Sequence, residues 1–166
     1  MNFGYRTDIW HPGILHAPAA HAFTPGALRT ASVTWLPPQP EYCFLADPFG
    51  LWHAGQLHVL AEHYDYRDKH GVIHYFTYDP DFRLIASGEA LSTPHHLSYP
   101  FLIEDGADVY MLPEAHQSGA LALYRATAFP SAWEKVCDLM TGPIVDASVV
   151  KHNSRWWMFY ALEGPD

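Results

Sequence analysis

Four carboxylates stand at matched places in this chain. Asp47 lies in Phe44-Leu45-Ala46-Asp47-Pro48-Phe49-Gly50, and Glu62 follows fifteen residues later. The same interval separates Tyr99 from Glu114, and Asp146 from Ala161. Two carboxyl groups facing one cleft are what glycoside hydrolysis requires. One protonates the leaving oxygen, and the other activates water or attacks the anomeric carbon. Crowding like charges raises one pKa, which keeps an acid protonated near neutral pH. In that chemistry Asp47 is the base or nucleophile, Asp146 or Glu114 the acid, and Glu62 their tuner. Tyr99, His96, Tyr64 and Tyr66 are the side chains expected to lie against sugar rings. The same residues also admit structural roles. An Asp before Pro caps turns through its own side chain. Glu62 and Glu114, at one repeat position, also suit a hydrogen bond repeated between sheets.

The elements that must position these groups are hairpins. Residues 47–62 turn at Ala54-Gly55, residues 99–114 at Asp105-Gly106-Ala107, and residues 146–161 at Asn153-Ser154. Each return strand is apolar or aromatic, as in Val109-Tyr110-Met111-Leu112 and Trp156-Trp157-Met158-Phe159-Tyr160, which favours strand. The hairpin starts at 47, 99 and 146 give periods in the range of propeller blades. Outer strands are expected over residues 72–78, 82–90, 120–126 and 133–139. Further strands are expected over residues 8–15 and 28–36, the latter with Val33 and Trp35 on one face. Pro37-Pro38-Gln39-Pro40 reads as a stiff connector. The run over residues 44–52 suits a strand buried on both faces, and Trp156-Trp157 suits core packing. No sustained helical periodicity appears.

The fold expected is all-β: a five-bladed β-propeller-like repeat, with about two and a half blades in residues 1–166 as a single partial domain. The inner hairpins fall near residues 44–63, 97–115 and 144–162. Closed propellers have at least about four blades. The remainder is therefore expected from a longer chain or from a second copy in a homo-oligomer. Register pairs Asp47 with Glu62 across the first hairpin. Asp47 and Asp146 then face each other across a channel mouth, with Tyr99 between them in the repeat and Glu62 and Glu114 behind.

Composition narrows the partners. The formal net charge of −9 excludes the basic face that nucleic-acid binding needs and disfavours an anionic membrane surface. No run approaches the ~18 apolar residues of a membrane-spanning helix, so no membrane insertion is expected. Met1-Asn2-Phe3-Gly4-Tyr5-Arg6 has no apolar leader segment. Cys43 and Cys137 lie apart in apolar runs and read as buried free thiols of a reducing cytoplasm. The 12 histidines show no helical metal-ligand spacing. No metal or other cofactor is expected, and a site using His63, His95 or His96 is the minor alternative.

The motif around Asp47, His96-Leu97-Ser98-Tyr99-Pro100-Phe101, Tyr110-Met111-Leu112-Pro113-Glu114 and the Trp156-Trp157-Met158-Phe159 strand carry a resemblance. Over about residues 40–162 the chain resembles the propeller domain N-terminal to plant glucosamine inositolphosphorylceramide transferases. Similar domains occur in bacterial proteins of polysaccharide loci. That domain is similar in turn to the five-bladed propellers of family-43 glycosidases. The resemblance to those glycosidases implies a general-base Asp at Asp47. Where they carry a tuning Asp this chain has Tyr99, and where they carry an acidic Glu it has the shorter Asp146. The implied function is a carbohydrate-active protein of glycan processing or synthesis, with glycoside hydrolysis by paired carboxylates. The alternative is a non-catalytic glycan-binding or scaffold domain associated with a glycosyltransferase.

Overall fold

The computed structural model describes residues 8–164, apart from the side chains of Ala22 and Ala27. The opening stretch read as lacking an apolar leader lies outside these residues. The fold is all-β, with only short 3₁₀ turns at Ala19–Phe23, Ala27–Thr30 and His116–Ser118.

Two short strands, β1 (Gly13–Leu15) and β2 (Val33–Trp35), form a small antiparallel pair. Expected strands at 8–15 and 28–36 are thus shorter than their apolar content suggests. Leu28 falls in a 3₁₀ turn entered through Gly26, whose φ is 79°. A first four-stranded meander follows: β3 (Cys43–His53), β4 (Gln56–Asp65), β5 (His70–Tyr78) and β6 (Leu84–Leu91). A second repeats it: β7 (Ser98–Asp105), β8 (Asp108–Glu114), β9 (Ala120–Ala128) and β10 (Ala132–Thr141). A final hairpin pairs β11 (Ile144–His152) with β12 (Arg155–Leu162).

The three hairpin turns match the residues that favour them. Ala54 and Gly55 both take left-handed φ, as do Asn153 and Ser154, the pattern of a two-residue type I′ turn whose twist suits the flanking strands. Gly106 supplies the left-handed residue of the middle turn. Asp79 Oδ1 accepts from the N–H groups of Asp81 and Arg83 and fixes the turn before β6. This places Phe82 in the turn, at φ 59°, rather than in the strand.

Three apolar layers hold the sheets together. Leu36, Leu45, Leu57, Val59, Ala61, Phe76 and Tyr78 pack one face of the first sheet, with Ile14 against them. Its other face meets the second sheet through Leu60, Ile73, Leu97, Met111 and Ala115. Alternation along β4 makes this possible: Val59 and Ala61 point one way, Leu60 and Glu62 the other. The second sheet then meets the β11–β12 hairpin through Leu112, Leu121, Ile144 and Ala147.

Three burial expectations need correction. Only Cys43, Phe44 and Leu45 of β3 are fully buried. As the edge strand of its sheet, β3 is hydrogen-bonded along one side only, and Trp52 stays 52% exposed. Trp156 and Trp157 are likewise half exposed, because among the described residues β12 has β11 as its single strand partner. Both cysteines are free, but Cys137 is exposed rather than buried, since it lies on β10, an edge strand.

Candidate functional site

The inner hairpins carry the same irregularity at the same place. Register breaks between Ala46 and Phe49, between Ser98 and Phe101, and between Val145 and Ser148. Each break is a β-bulge formed by Asp47-Pro48, Tyr99-Pro100 or Asp146-Ala147. Its first residue is left-handed every time, with φ of 47° at Asp47, 45° at Tyr99 and 54° at Asp146. That conformation costs a non-glycine residue about 1–2 kcal/mol. A proline fits here because the ladder is already interrupted and no N–H is lost from it. The bulge re-aims the side chain of its first residue. It also shifts the expected pairing by one: Glu62 stands opposite Ala46, and Glu114 opposite Ser98.

The carboxylates nonetheless meet electrostatically. Asp47 has its pKa raised by desolvation and by the charge of Asp146, with a backbone hydrogen bond from Tyr99 opposing them. Glu62 is 6% exposed. Burial, then Asp47, then Glu114 push its carboxyl up to about 8. Glu114 accepts the Asp146 N–H at 3.1 Å through Oε2, and His116 Nδ1 lies 3.4 Å from its Oε1. Glu114 thus ties the second hairpin to the third bulge. The hydrogen bond expected to repeat at Glu62 and Glu114 is made by Glu114 alone among the described residues.

His96 is fixed by a glycine. Its Nδ1 accepts the Gly71 N–H at 2.9 Å, so the neutral ring carries its proton on Nε2, which sits 3.4 Å from Glu62 Oε1. A Cβ on Gly71 would come within 2.6 Å of both the His96 ring and the Leu97 carbonyl. Only glycine allows the loop before β7 to approach this closely. Burial lowers the His96 pKa, with smaller contributions from His70 and His116.

A cleft of about 520 Å³ opens over Asp47 and Glu62. Its walls are Trp10, His11, Pro12 and Phe44, with Leu45, Ala46 and Pro48 from the bulge strand. Of the aromatics expected from the sequence, none lines this cleft. Tyr64 stacks on Phe44 at 5.0 Å and meets His96 edge-on at 5.7 Å. Tyr66 donates its hydroxyl to the Asp8 carbonyl. Tyr99 packs edge-on against Phe49 and shares a 2.9 Å hydrogen bond with Ser148 Oγ. Tyr64 and Tyr66 thus lie against Phe44, behind the wall. Trp10 and His11 are the residues that sequence reasoning missed. Trp10, at 63% exposure, was readable only as an aromatic two places before Pro12 in a segment with no repeat copy.

The minor metal reading loses its geometry. His63 lies on the β4 face opposite Glu62 and stacks on His74, with centroids 4.4 Å apart, while His95 is exposed. The three histidines do not converge. Among the described residues no group of three His, Cys, Asp or Glu side chains is placed to hold a metal ion. No helix among them is long and apolar enough to cross a membrane.

The sequence matches a family described as "Glucosamine inositolphosphorylceramide transferase 1, N-terminal" over residues 24–163. It is 33% identical over 116 residues to glucosamine inositolphosphorylceramide transferase 1 of Arabidopsis thaliana, covering 69% of this chain and 15% of that protein. It is 42% identical over 72 residues to the proteins of the same name from Oryza sativa subsp. indica and subsp. japonica. Those matches cover 43% of this chain and 10% of each rice protein. The aligned stretch is thus a small part of these relatives' length. By the extent of the family match, the chain belongs to the family of the N-terminal region of glucosamine inositolphosphorylceramide transferase 1.

Proposed function

We propose that this chain is a glycan-recognition domain of a glycosyltransferase-associated protein, and that the cleft over Asp47 and Glu62 is its carbohydrate site. The observation that carries this reading is the pairing of an exposed indole, Trp10, with carboxylates at the floor of one cleft. Sugars are bound by aromatic faces against their C–H surfaces and by charged acceptors for their hydroxyls. The relatives are named as transferases, which supports a glycan as the partner. The test is binding of a panel of sugars and oligosaccharides, read by calorimetry. Asp47→Asn and Trp10→Ala are each expected to weaken the best binder by at least about tenfold, which is about 1.4 kcal/mol. Undiminished binding in both variants would remove the cleft from the reading.

We further infer a five-bladed propeller-like architecture. Its support is the repeated four-stranded meander, the side-by-side inner strands β3, β7 and β11, and the bulge recurring in all three. The missing blades then come from a longer chain or from a second copy. Light scattering decides for this chain: a monomeric mass with a cooperative melt counts against the second copy.

One observation favours a second reading, glycoside hydrolysis. Glu62 keeps its proton near neutral pH beside Asp47, the asymmetry an acid and a base need. Aryl furanosides and pyranosides separate the two: turnover by the wild type that is lost in Asp47→Asn supports hydrolysis, and binding without turnover supports recognition alone.

A further inference from the structure

A second hollow adjoins the cleft. It measures about 310 Å³ and is walled by Ile9 and by the run from Pro38 to Cys43. Trp10 and His11 line both hollows, so they stand at the boundary. The backbone that carries Trp10 is pinned on either side. Tyr66 donates its hydroxyl to the Asp8 carbonyl at 2.8 Å. His11 Nε2 lies 2.7 Å from the Leu36 carbonyl oxygen, and the Leu36 N–H donates to the Pro12 carbonyl at 3.1 Å. The indole itself stays 63% exposed. Tyr42 is held in a similar manner. The Cys43 N–H donates to the Pro40 carbonyl at 3.0 Å, and the Tyr42 carbonyl accepts the Tyr66 N–H at 2.9 Å. The turn gives Tyr42 a φ of 69°, at a place where glycine or asparagine is usual. Such strain persists only where the surroundings fix it, and it gathers at ligand clamps. The Tyr42 side chain is nevertheless exposed. Two aromatic rings are thus held out on fixed backbone, one at the boundary and one in the second hollow.

We propose that the carbohydrate site runs through both hollows and takes a linear oligosaccharide. One unit lies over Asp47 and Glu62, the chain crosses at Trp10, and a further unit lies against Tyr42. The proposal rests on the carbohydrate reading above and fixes the length of its ligand. That length follows from the strand beneath. Cys43 lines the second hollow and Asp47 the first, and four steps of extended strand set them about 13 Å apart. A single sugar ring reaches one end of that span and not the other. The second hollow also has the chemistry of a sugar subsite. The Tyr42 ring meets C–H faces, and the side chains of Gln39 and Glu41 offer hydrogen-bonding groups to hydroxyls. Pro38 and Pro40 stiffen the loop, so little order is lost on binding. An alkyl chain would fill the same space, but it would strip water from Asp47 and Glu62 without replacing it.

The experiment titrates the whole chain by calorimetry with graded series: glucose to cellopentaose, glucose to maltopentaose, and the monomer and short oligomers of the panel's best binder. Affinity is expected to rise at least about tenfold from one unit to three in the series that binds. Tyr42→Ala is expected to remove that rise and leave the affinity for the single unit as it is. Tyr42→Gly, which takes the left-handed backbone without strain, is expected to do the same with the fold intact by circular dichroism. Trp10→Ala is expected to weaken every length. One affinity at all lengths would overturn the extended site and leave glycan recognition standing. A rise with length that survives in both Tyr42 variants would overturn it as well. Binding by no member of the series or of the broader panel would overturn both.

Discussion

Glu62 and His74 sit on neighbouring strands and bend the pH dependence of stability in opposite directions. The Glu62 carboxyl, ordinarily near 4.5, is pushed up to about 8 in the fold by burial, Asp47 and Glu114, with His96 beside it. The folded state therefore binds more protons across that window. The stability this contributes is full below about pH 4.5 and is lost as pH rises through about 8. His74 goes from 6.5 down to about 4 through burial and the stacked His63. The folded state binds fewer protons there, so stability falls as pH drops from about 6.5 toward 4. Urea midpoints are expected to decline from pH 6 to pH 9 in the wild type and to flatten in Glu62→Gln. His74→Gln is expected to flatten the acid limb alone. An unchanged alkaline limb in Glu62→Gln would show that its proton is not held by the fold. At this scale the sequence was legible where residues repeat. Asp47, Glu62, Glu114 and Asp146 could be found because each occupies a matched position. Trp10 has no counterpart, so nothing in its neighbourhood pointed to the cleft. Tyr66 was misplaced because a tyrosine in a loop near a carboxylate looks alike whether its hydroxyl faces a ligand or, as here, the Asp8 carbonyl.

Hairpins carry the site, and their two ends behave differently. The turn ends follow local chemistry. Asn153-Ser154 holds two left-handed residues, with φ of 50° and 59°. Ser154→Gly creates an Asn-Gly pair suited to a type I′ turn and is expected to stabilise the chain by on the order of 0.5–1 kcal/mol. The gain is read as a raised urea midpoint with an unchanged slope; a lowered midpoint would mean that Ser154 makes contacts outweighing its backbone strain. The open ends were not legible. Ala-Asp-Pro reads as a strand start, and period-2 counting places Asp47 opposite Glu62. The bulge adds a residue that no propensity reports, and it moves Glu62 opposite Ala46. What did show was the outline, since Tyr99-Pro100 and Asp146-Ala147 fall at the same distance from their turns.

The whole molecule is a stack in which each apolar layer joins one sheet to the next. Met111 is fully buried in the layer between the two meanders, with Leu60, Ile73 and Leu97. Met111→Ala is expected to cost about 2–5 kcal/mol, seen as a single shifted transition by both circular dichroism and tryptophan emission. Separate transitions would mean that the two meanders unfold independently. The all-β class and the strand order were open to the sequence because turns and apolar runs alternate so regularly. The exposure of Trp52, Trp156 and Trp157 was not, because burial depends on which strand lies beyond an edge.

The meander order has a consequence for how the chain is built. Every strand from β3 to β10 pairs with its sequence neighbour, so contacts within each sheet close over short loops and form quickly. A ribosome delivers the first meander complete before the second begins. Asp47 and Glu62 belong to one hairpin of that first sheet and meet early. Glu114 and Asp146 arrive with later hairpins. The repulsion that Glu114 adds to Glu62 and Asp146 adds to Asp47 is therefore loaded last, after the first sheet has already set.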